Sequence, residues 1–178
     1  IHGLSRYPKV WNQYFSPLKT LNFGLSGDKT QHVLWRVLNG EIPLNVQTVI
    51  IHVGTNNIDC DQPQVIADAI VSIAVVLQKA KPNAKIVITG LLPRGLQPSI
   101  RRVQVAEVNR CLEVMCAKDY QRNVFYLKPD KDWVLPNGTL DKTFYFRDYL
   151  HLVGKGNEKF ARSICDMVAR ISGMMMDS

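Results

Sequence analysis

The sequence has little of what would place it in several common classes of protein. It has only four cysteines among 178 residues, and neither a CxxC pair nor a metal-ligand spacing with its four histidines is present. No apolar run reaches the ~18 residues that span a bilayer. The phosphate-binding signatures GxGxxG and GxxxxGK[ST] are missing as well. These absences argue against a metal site, a membrane-spanning segment and a nucleotide-binding enzyme.

Acidic residues are also fewer than basic ones, 15 against 22, which gives a net charge of +7. The basic residues are scattered along the chain, without the basic block and interleaved aromatic residues that a nucleic-acid groove requires. Scattered positive charge is typical of a solvated surface, and attraction for anionic lipid headgroups is the alternative. We therefore expect no nucleic-acid partner.

Two of the cysteines, Cys111 and Cys165, lie on the apolar stripes of predicted helices, where a free thiol behaves as a small hydrophobic group. This placement predicts reduced thiols and a cytoplasmic protein. The sequon Asn137-Gly138-Thr139 is the one contrary sign, and the same triplet is also a good turn sequence.

Short β-branched runs alternate with longer amphipathic patterns along the chain. The runs predict strands over residues 20–23, 46–53, 84–89 and 123–127, and helices fall between them. Asp28 is well placed to cap a helix through Leu38, which Gly40 would close. Repeated β-α-β units predict a parallel sheet with helices on both faces. We expect one domain over residues 1–178.

Ligands bind such sheets outside the carboxyl ends of the strands, so the residues directly after each strand are candidates for a site. A glycine loop with Gly27 follows the first predicted strand, and Asn56 follows the second. Asp148 precedes His151 by three residues, a spacing that lets a carboxylate orient an imidazole as a general base. His52 lies inside a predicted strand, which indicates a core histidine. Each of these patterns is weak alone.

Their order along the chain carries more weight, because it matches the Gly, Asn and His blocks of the SGNH (GDSL-like) hydrolases. The residues within and around these blocks most closely resemble those of the acetylhydrolase branch, which includes the catalytic alpha subunits of intracellular platelet-activating-factor acetylhydrolase. The matching segments are residues 15–18 (FSPL), 32–36 (HVLWR), 53–57 (VGTNN), 90–95 (GLLPRG) and 148–152 (DYLHL). The resemblance implies a flavodoxin-like, three-layer α/β/α fold with a mostly parallel five-stranded sheet.

The same resemblance implies a role for each matching residue. Gly27 would offer its backbone N–H, and Asn56 its side-chain amide, to the oxyanion of an acyl-transfer reaction. His151 would be the general base and Asp148 the residue that orients it. Leu150 would form a wall of an apolar acyl pocket that favours acetyl over longer chains. No metal or cofactor is implied.

One part of the family pattern is not found in the 178 residues. The nucleophilic serine should lie in a Gly-Asp-Ser motif at the end of a first, central strand. Alignment on Trp11 and residues 15–18 places that serine one to three residues before Ile1, so we expect an upstream strand that carries it. Ser5 is the alternative within the chain, and a true absence of the serine is the third possibility.

The sequence thus predicts an esterase that hydrolyses short acyl esters through an acyl-enzyme. By resemblance, an acetyl ester of a phospholipid such as platelet-activating factor is the leading substrate, which would place the protein in lipid metabolism. The family also implies a homodimer and a WD40-repeat regulatory partner. Two alternatives stay open: a catalytically inactive binding module, if the serine is absent, and a flavodoxin-like phosphate binder that uses the glycine loop.

Overall fold

The structure, a computed structural model, describes residues 2–43, 45–117 and 123–173. The described residues form three strands, which are β1 (Thr48–Ile51), β2 (Lys85–Thr89) and β3 (Val124–Leu127). They also form helices α1 (His2–Ser5), α2 (Pro8–Tyr14), α3 (Thr30–Leu38), α4 (Pro63–Ala80), α5 (Ile100–Cys116) and α6 (Gly154–Ser172). Short 3-10 turns lie at Ser16–Leu18, Thr55–Asn57 and Lys131–Trp133.

The three strands form one parallel sheet in the order β1-β2-β3. In this register, Thr48 lies opposite Lys85, and Ile86 lies opposite Val124. Helix α4 connects β1 to β2 and helix α5 connects β2 to β3, as parallel strands require a crossover. The predicted α/β class with a parallel sheet is confirmed.

The central strand β2 is covered on both of its faces. Ile86, Val87 and Ile88 all have 0% of their surface exposed. Because consecutive side chains of a strand point to opposite faces, burial of all three requires packed layers above and below the sheet. This burial agrees with the predicted three-layer α/β/α arrangement.

The described residues contain three of the five predicted strands. The strand predicted over residues 20–23 is wrong, because this segment joins no ladder. Leu21 is 66% exposed and Phe23 43% exposed. The predicted neighbour of this segment was the strand expected ahead of residue 1. An extended segment becomes a strand only when a second strand satisfies its backbone hydrogen bonds.

Helix α3 begins differently from the prediction. Lys29, not Asp28, is the N-cap residue, and the Asp28 carboxylate instead pairs with the guanidinium of Arg36. Arg36 also pairs with Glu41 beyond the end of the helix. The helix ends before Gly40, as predicted. The Asp28 side chain, which the capping rule assigned to the helix start, therefore forms a salt bridge with Arg36, eight positions further along the chain.

Helix α4 is long and apolar enough to cross a membrane, judged by length and composition alone. Its apolar face lies in the protein core, where Ile66, Ile70 and Ile73 are at most 1% exposed. A core helix passes the same test as a membrane span, so the helix is weak evidence for a membrane segment.

The chain forms two compact units. The sheet unit contains residues 27–93 and 99–130, and thus all three strands with α3, α4 and α5. The helix unit contains residues 1–26, 94–98 and 131–178. In the helix unit, α1 and α2 pack on α6, and the buried Trp133 ring lies edge-on to Phe144 and Tyr145 at centroid distances of 5.2 and 5.8 Å.

Candidate active site

The predicted base and its orienting residue form a tight turn in the helix unit. The Asp148 Oδ2 atom lies 2.7 Å from His151 Nδ1. Asp148 Oδ1 accepts the backbone N–H groups of Leu150 and His151, each at 3.0 Å. Both oxygens of the carboxylate are therefore engaged, and the imidazole is held with Nε2 pointing away from the pair. A histidine whose Nδ1–H is bound to a carboxylate presents Nε2 as an acceptor of protons.

The turn itself is tied to its surroundings through the backbone. Tyr149 has a positive φ of 50°, and its carbonyl accepts the N–H of Gly95 at 2.8 Å. Phe146 N–H donates to the His151 carbonyl at 2.8 Å. The buried Asn157 side chain donates to the carbonyls of Leu152 and Val153, at 2.8 and 3.0 Å. These bonds fix the backbone on both sides of the histidine.

The charge state of Asp148 suits an orienting residue. Partial burial opposes ionisation, but the hydrogen bonds from the His151 ring and from two backbone N–H groups outweigh it. Together they hold the pKa of the Asp148 carboxyl below its usual value. The carboxylate is therefore ionised at neutral pH, where it can stabilise a protonated imidazole.

The two predicted oxyanion donors lie on adjoining loops of the sheet unit. Gly27 is exposed and has φ of 84°, a left-handed conformation that favours glycine. The Asn56 side chain donates one N–H to the carbonyl of Asp28, the residue after Gly27, at 2.9 Å. A carboxamide carries two N–H donors, so this bond leaves the second to be offered to a ligand.

The Asn56 loop begins at a glycine that the packing requires. Gly54 follows β1 with φ of 120°, and a Cβ there would lie 3.1 Å from both Ile66 and Ile70 of α4. Only glycine combines that backbone conformation with so close an approach to a helix. The loop that carries Asn56 is therefore anchored directly against the apolar core.

Sequence reasoning missed one residue of this region, Asn57. It is 1% exposed, and its carboxamide contacts the start of α3. The pattern GTNN contains two asparagines, and the resemblance assigned a role only to the first. A polar side chain that comes a few residues after an apolar strand was the only signal, and it does not indicate burial.

Three further residues from the sequence analysis can be placed in the structure. Leu150 is half-buried beside the base. His52 directly follows β1 and is half-buried, with Nδ1 2.6 Å from Thr89 Oγ1, and burial lowers its pKa to about 3. A histidine with so low a pKa is neutral and a poor base at pH 7, as expected of a core histidine. Ser5 is exposed in α1.

The structure thus brings Asp148 against His151, and Asn56 against the loop of Gly27. Within the described ranges, three or more His, Cys, Asp or Glu side chains are nowhere grouped in a way that could hold a metal ion. A carboxylate hydrogen-bonded to an imidazole, together with N–H donors on adjoining loops, is the set of groups that acyl-transfer chemistry uses.

Comparison with known proteins decides the family. The sequence profile of the GDSL-like lipase/acylhydrolase family matches residues 2–159. The chain belongs to this family. Membership confirms the resemblance found in the sequence and the expected reaction class, the hydrolysis of carboxylic esters.

Curated relatives of this GDSL-like hydrolase include platelet-activating factor acetylhydrolase IB subunits. The human alpha2 subunit is 37% identical over 164 residues, which cover 92% of this chain and 70% of that protein. The alpha1 subunit of Rattus norvegicus is also 37% identical, over 92% of this chain and 69% of its own length. These values confirm that the chain closely resembles the acetylhydrolase branch.

Solved structures confirm the fold of this GDSL-like hydrolase. A GDSL-like lipase from Bacteroides thetaiotaomicron superposes with a TM-score of 0.71 and 18% identity, over 96% of this chain and 84% of that one. A carbohydrate esterase family 3 protein from Talaromyces cellulolyticus gives a TM-score of 0.69 at 15% identity, over 96% and 92%. At such low identity, the likeness is evidence for the fold alone.

Proposed function

We propose that this protein hydrolyses short-chain acyl esters through a covalent acyl-serine intermediate. In the first step, the serine hydroxyl attacks the ester carbonyl while His151 Nε2 takes its proton. The protonated His151 then gives that proton to the departing alcohol. In the second step, His151 removes a proton from water, which attacks the acyl carbonyl, and the protonated His151 returns this proton to the serine oxygen as the acid leaves.

The contact between Asp148 and His151 is the single observation that carries this proposal. A carboxylate that bonds Nδ1 fixes the tautomer of the imidazole and stabilises the cation formed when Nε2 accepts a proton. The two backbone N–H groups on Asp148 Oδ1 make the carboxylate a rigid partner.

The donors on the sheet unit supply the second requirement of the reaction. Attack on the carbonyl places negative charge on its oxygen, and a preorganised N–H donor contributes about 10²–10³-fold in kcat. We assign this role to the Gly27 backbone N–H and to the second N–H of the Asn56 amide.

The nucleophile is proposed to be a serine in a Gly-Asp-Ser motif that precedes residue 1, on a strand of the same sheet. Ser5 is the alternative within the chain. Treatment of the full-length protein with a fluorophosphonate, followed by peptide mass spectrometry, distinguishes them. We expect one adduct, on the upstream serine. An adduct on Ser5 would reassign the nucleophile, and no adduct on any serine would reject the esterase in favour of a binding module.

The substrate is proposed to be an acetyl ester of a phospholipid that resembles platelet-activating factor. This proposal is based on the 37% identity with proteins named for that activity. Leu150, half-buried next to the base, would limit the length of the acyl group. Acetyl and butyryl esters of one alcohol test the limit. We expect a higher kcat/KM for the acetyl ester, and Leu150→Ala should reduce the difference in kcat/KM between the two esters. Equal rates in the parent protein would contradict the short-acyl preference.

We propose a homodimer that works in the cytoplasm, in lipid metabolism, and that binds a WD40-repeat regulatory subunit. Light scattering coupled to size-exclusion chromatography tests the dimer. A mass equal to one chain at micromolar concentration would contradict it.

A further inference from the structure

We propose that Asn57 is a positioning residue, whose buried carboxamide sets the separation of the two oxyanion donors. The inference rests on the proposed roles of Gly27 and Asn56. It concerns a side chain that does not reach the reacting atoms, and that acts by holding two loops of the sheet unit together.

The carboxamide of Asn57 is fully used, in contacts with the start of α3 and with Asp61 of its own loop. Its Oδ1 atom accepts the backbone N–H of Thr30 at 3.1 Å. Its Nδ2 atom lies 2.7 Å from Asp61 Oδ2, and 3.2 Å from both Thr30 Oγ1 and Gln31 Oε1. Because Nδ2 has two hydrogens and three acceptors, it shares them, and the shortest contact is with Asp61. The residue is 1% exposed, so water cannot replace these partners.

These contacts complete the start of helix α3. Its N-cap residue is Lys29, whose side chain has no oxygen to accept a helix N–H. Asn57 provides that acceptor from another loop, 27 positions away in the sequence. The cap is therefore not only a local stabiliser, because it also joins the α3 start to the loop after β1.

The same two loops carry both proposed donors. Asn56 bonds the Asp28 carbonyl, and its neighbour Asn57 bonds the Thr30 N–H, two residues further on. Two consecutive residues of the loop after β1 thus form hydrogen bonds with two nearby residues at the start of α3. Gly27 lies directly before this double tie and Asn56 lies within it. With Asn57 removed, the loops would be held by the Asn56 bond, which involves the donor itself, and by the exposed Lys29 Nζ–Cys60 Sγ contact at 3.3 Å.

A loosened tie should lower the rate of the chemical step more than the binding of substrate. Donors contribute only when they lie close to where the oxyanion forms, and misplacement of about 1 Å can cost roughly 10²-fold in rate. Substrate binding depends on the rest of the pocket. The expected signature of a change at Asn57 is therefore a lower kcat with KM nearly unchanged.

The test uses Asn57→Asp in the full-length protein, with kcat counted per active site titrated by fluorophosphonate. This variant keeps an oxygen for the Thr30 N–H but places a second acceptor against Asp61. We expect kcat to fall roughly 10- to 100-fold with KM within twofold. The double variant N57D/D61N restores a donor opposite an acceptor, and it should recover most of the lost kcat. Asp59→Asn, in the same loop but bonded to Arg101, is the matched control and should behave like the parent protein.

The outcomes separate this inference from the proposed function. If Asn56→Ala leaves kcat unchanged, the oxyanion assignment fails and the inference falls with it. If Asn56→Ala lowers kcat but Asn57→Asp lowers only the melting temperature, then Asn57 is merely structural and the inference alone is overturned. Should Asn57→Asp not fold, Asn57→Ser provides the test, because it removes the contacts without adding charge. An unchanged kcat per titrated site in a folded Asn57→Ser variant would also overturn the inference.

Discussion

Two groups of candidate residues, the proposed donors of the sheet unit (the donor half) and the proposed base with its orienting residue in the helix unit (the base half), are held in place by different means. In the sheet unit, the loops of Gly27 and Asn56 are joined by buried side chains and anchored on the core at Gly54. In the helix unit, Asp148 and His151 are 49% and 65% exposed and are bonded within a four-residue turn. The donor half therefore depends on contacts between distant segments of the chain, whereas the base half depends mainly on contacts within one exposed turn.

The two halves should therefore respond differently to substitutions. Donors for an oxyanion must be preorganised, and here the hydrogen bonds of Asn56 and Asn57 hold their two loops together. A base must accept and release protons, so exposure does it no harm once its tautomer is fixed. Changes at the base should therefore affect activity alone, and changes at the donor loops should affect stability and activity together.

The largest effect is expected from replacing the base. His151→Ala in the full-length protein should lower kcat by about 10³-fold or more, because the reaction loses its proton acceptor. The melting temperature should stay unchanged, since the side chain is 65% exposed. Ester hydrolysis and thermal unfolding measure the two quantities. A kcat within tenfold of the parent value would break the assignment.

Asp148, the carboxylate that orients the base, can be compared with Asp141, a carboxylate in a similar turn. Asp148→Asn removes the negative charge but keeps an oxygen for the turn, so we expect a loss of kcat of about 10²- to 10⁴-fold. Asp141 makes a similar exposed turn, in which its Oδ1 accepts from the N–H and the hydroxyl of Thr143. Asp141→Asn should therefore leave kcat as it is, and equal losses in both variants would point to a purely structural effect.

A smaller but measurable effect is expected in the donor half, at Gly54. Gly54→Ala combines a left-handed backbone, at about 1–2 kcal/mol, with a new Cβ against two isoleucines, at about 1–3 kcal/mol. We expect the free energy of unfolding to fall by about 2–5 kcal/mol, with loss of activity. Gly40 also has a positive φ but open space around it, so Gly40→Ala should lose only about 1–2 kcal/mol. Equal losses in urea unfolding would contradict the anchoring role of the loop.

The smallest effect is a pH dependence of stability in the sheet unit. The unfolded chain protonates His52 below its ordinary pKa of 6.5, whereas burial keeps the folded residue neutral down to a pKa of about 3. Stability from this group is thus present above pH 6.5 and is lost as pH falls, by up to about 1.4 kcal/mol per pH unit. Urea unfolding at about pH 6.5 and about pH 5 should show this slope, and His52→Asn should flatten it. The same slope in both proteins would rule out His52 as its source.

The base half could be predicted from the sequence because its contacts are local. Asp148 and His151 lie three residues apart, a spacing that lets a single turn bring the carboxylate to the imidazole. The strands could also be predicted from their β-branched runs, except for residues 20–23. Local β propensity says nothing about whether a second strand lies alongside, and a ladder needs both.

The donor half could not be predicted in the same detail, because its contacts join distant parts of the chain. Asn57 meets Thr30 across 27 positions, and no local pattern reports such a pair. The capping rule failed at Asp28 for a related reason, since it ignores a competing cation eight residues along the chain. Burial of a polar side chain is a property of the assembled fold.

Arg36 has a consequence for any redesign of this region. The guanidinium of Arg36 forms salt bridges with Asp28, which precedes α3, and with Glu41, which follows it. Each residue added to or removed from a helix rotates the downstream chain by about 100°. The length of α3 is consequently locked, and an insertion there would swing Arg36 away from at least one carboxylate. The side chains at outward positions such as Trp35, which is 65% exposed, take no part in this constraint. The number of residues between Asp28 and Glu41, in contrast, must stay the same for both salt bridges to form.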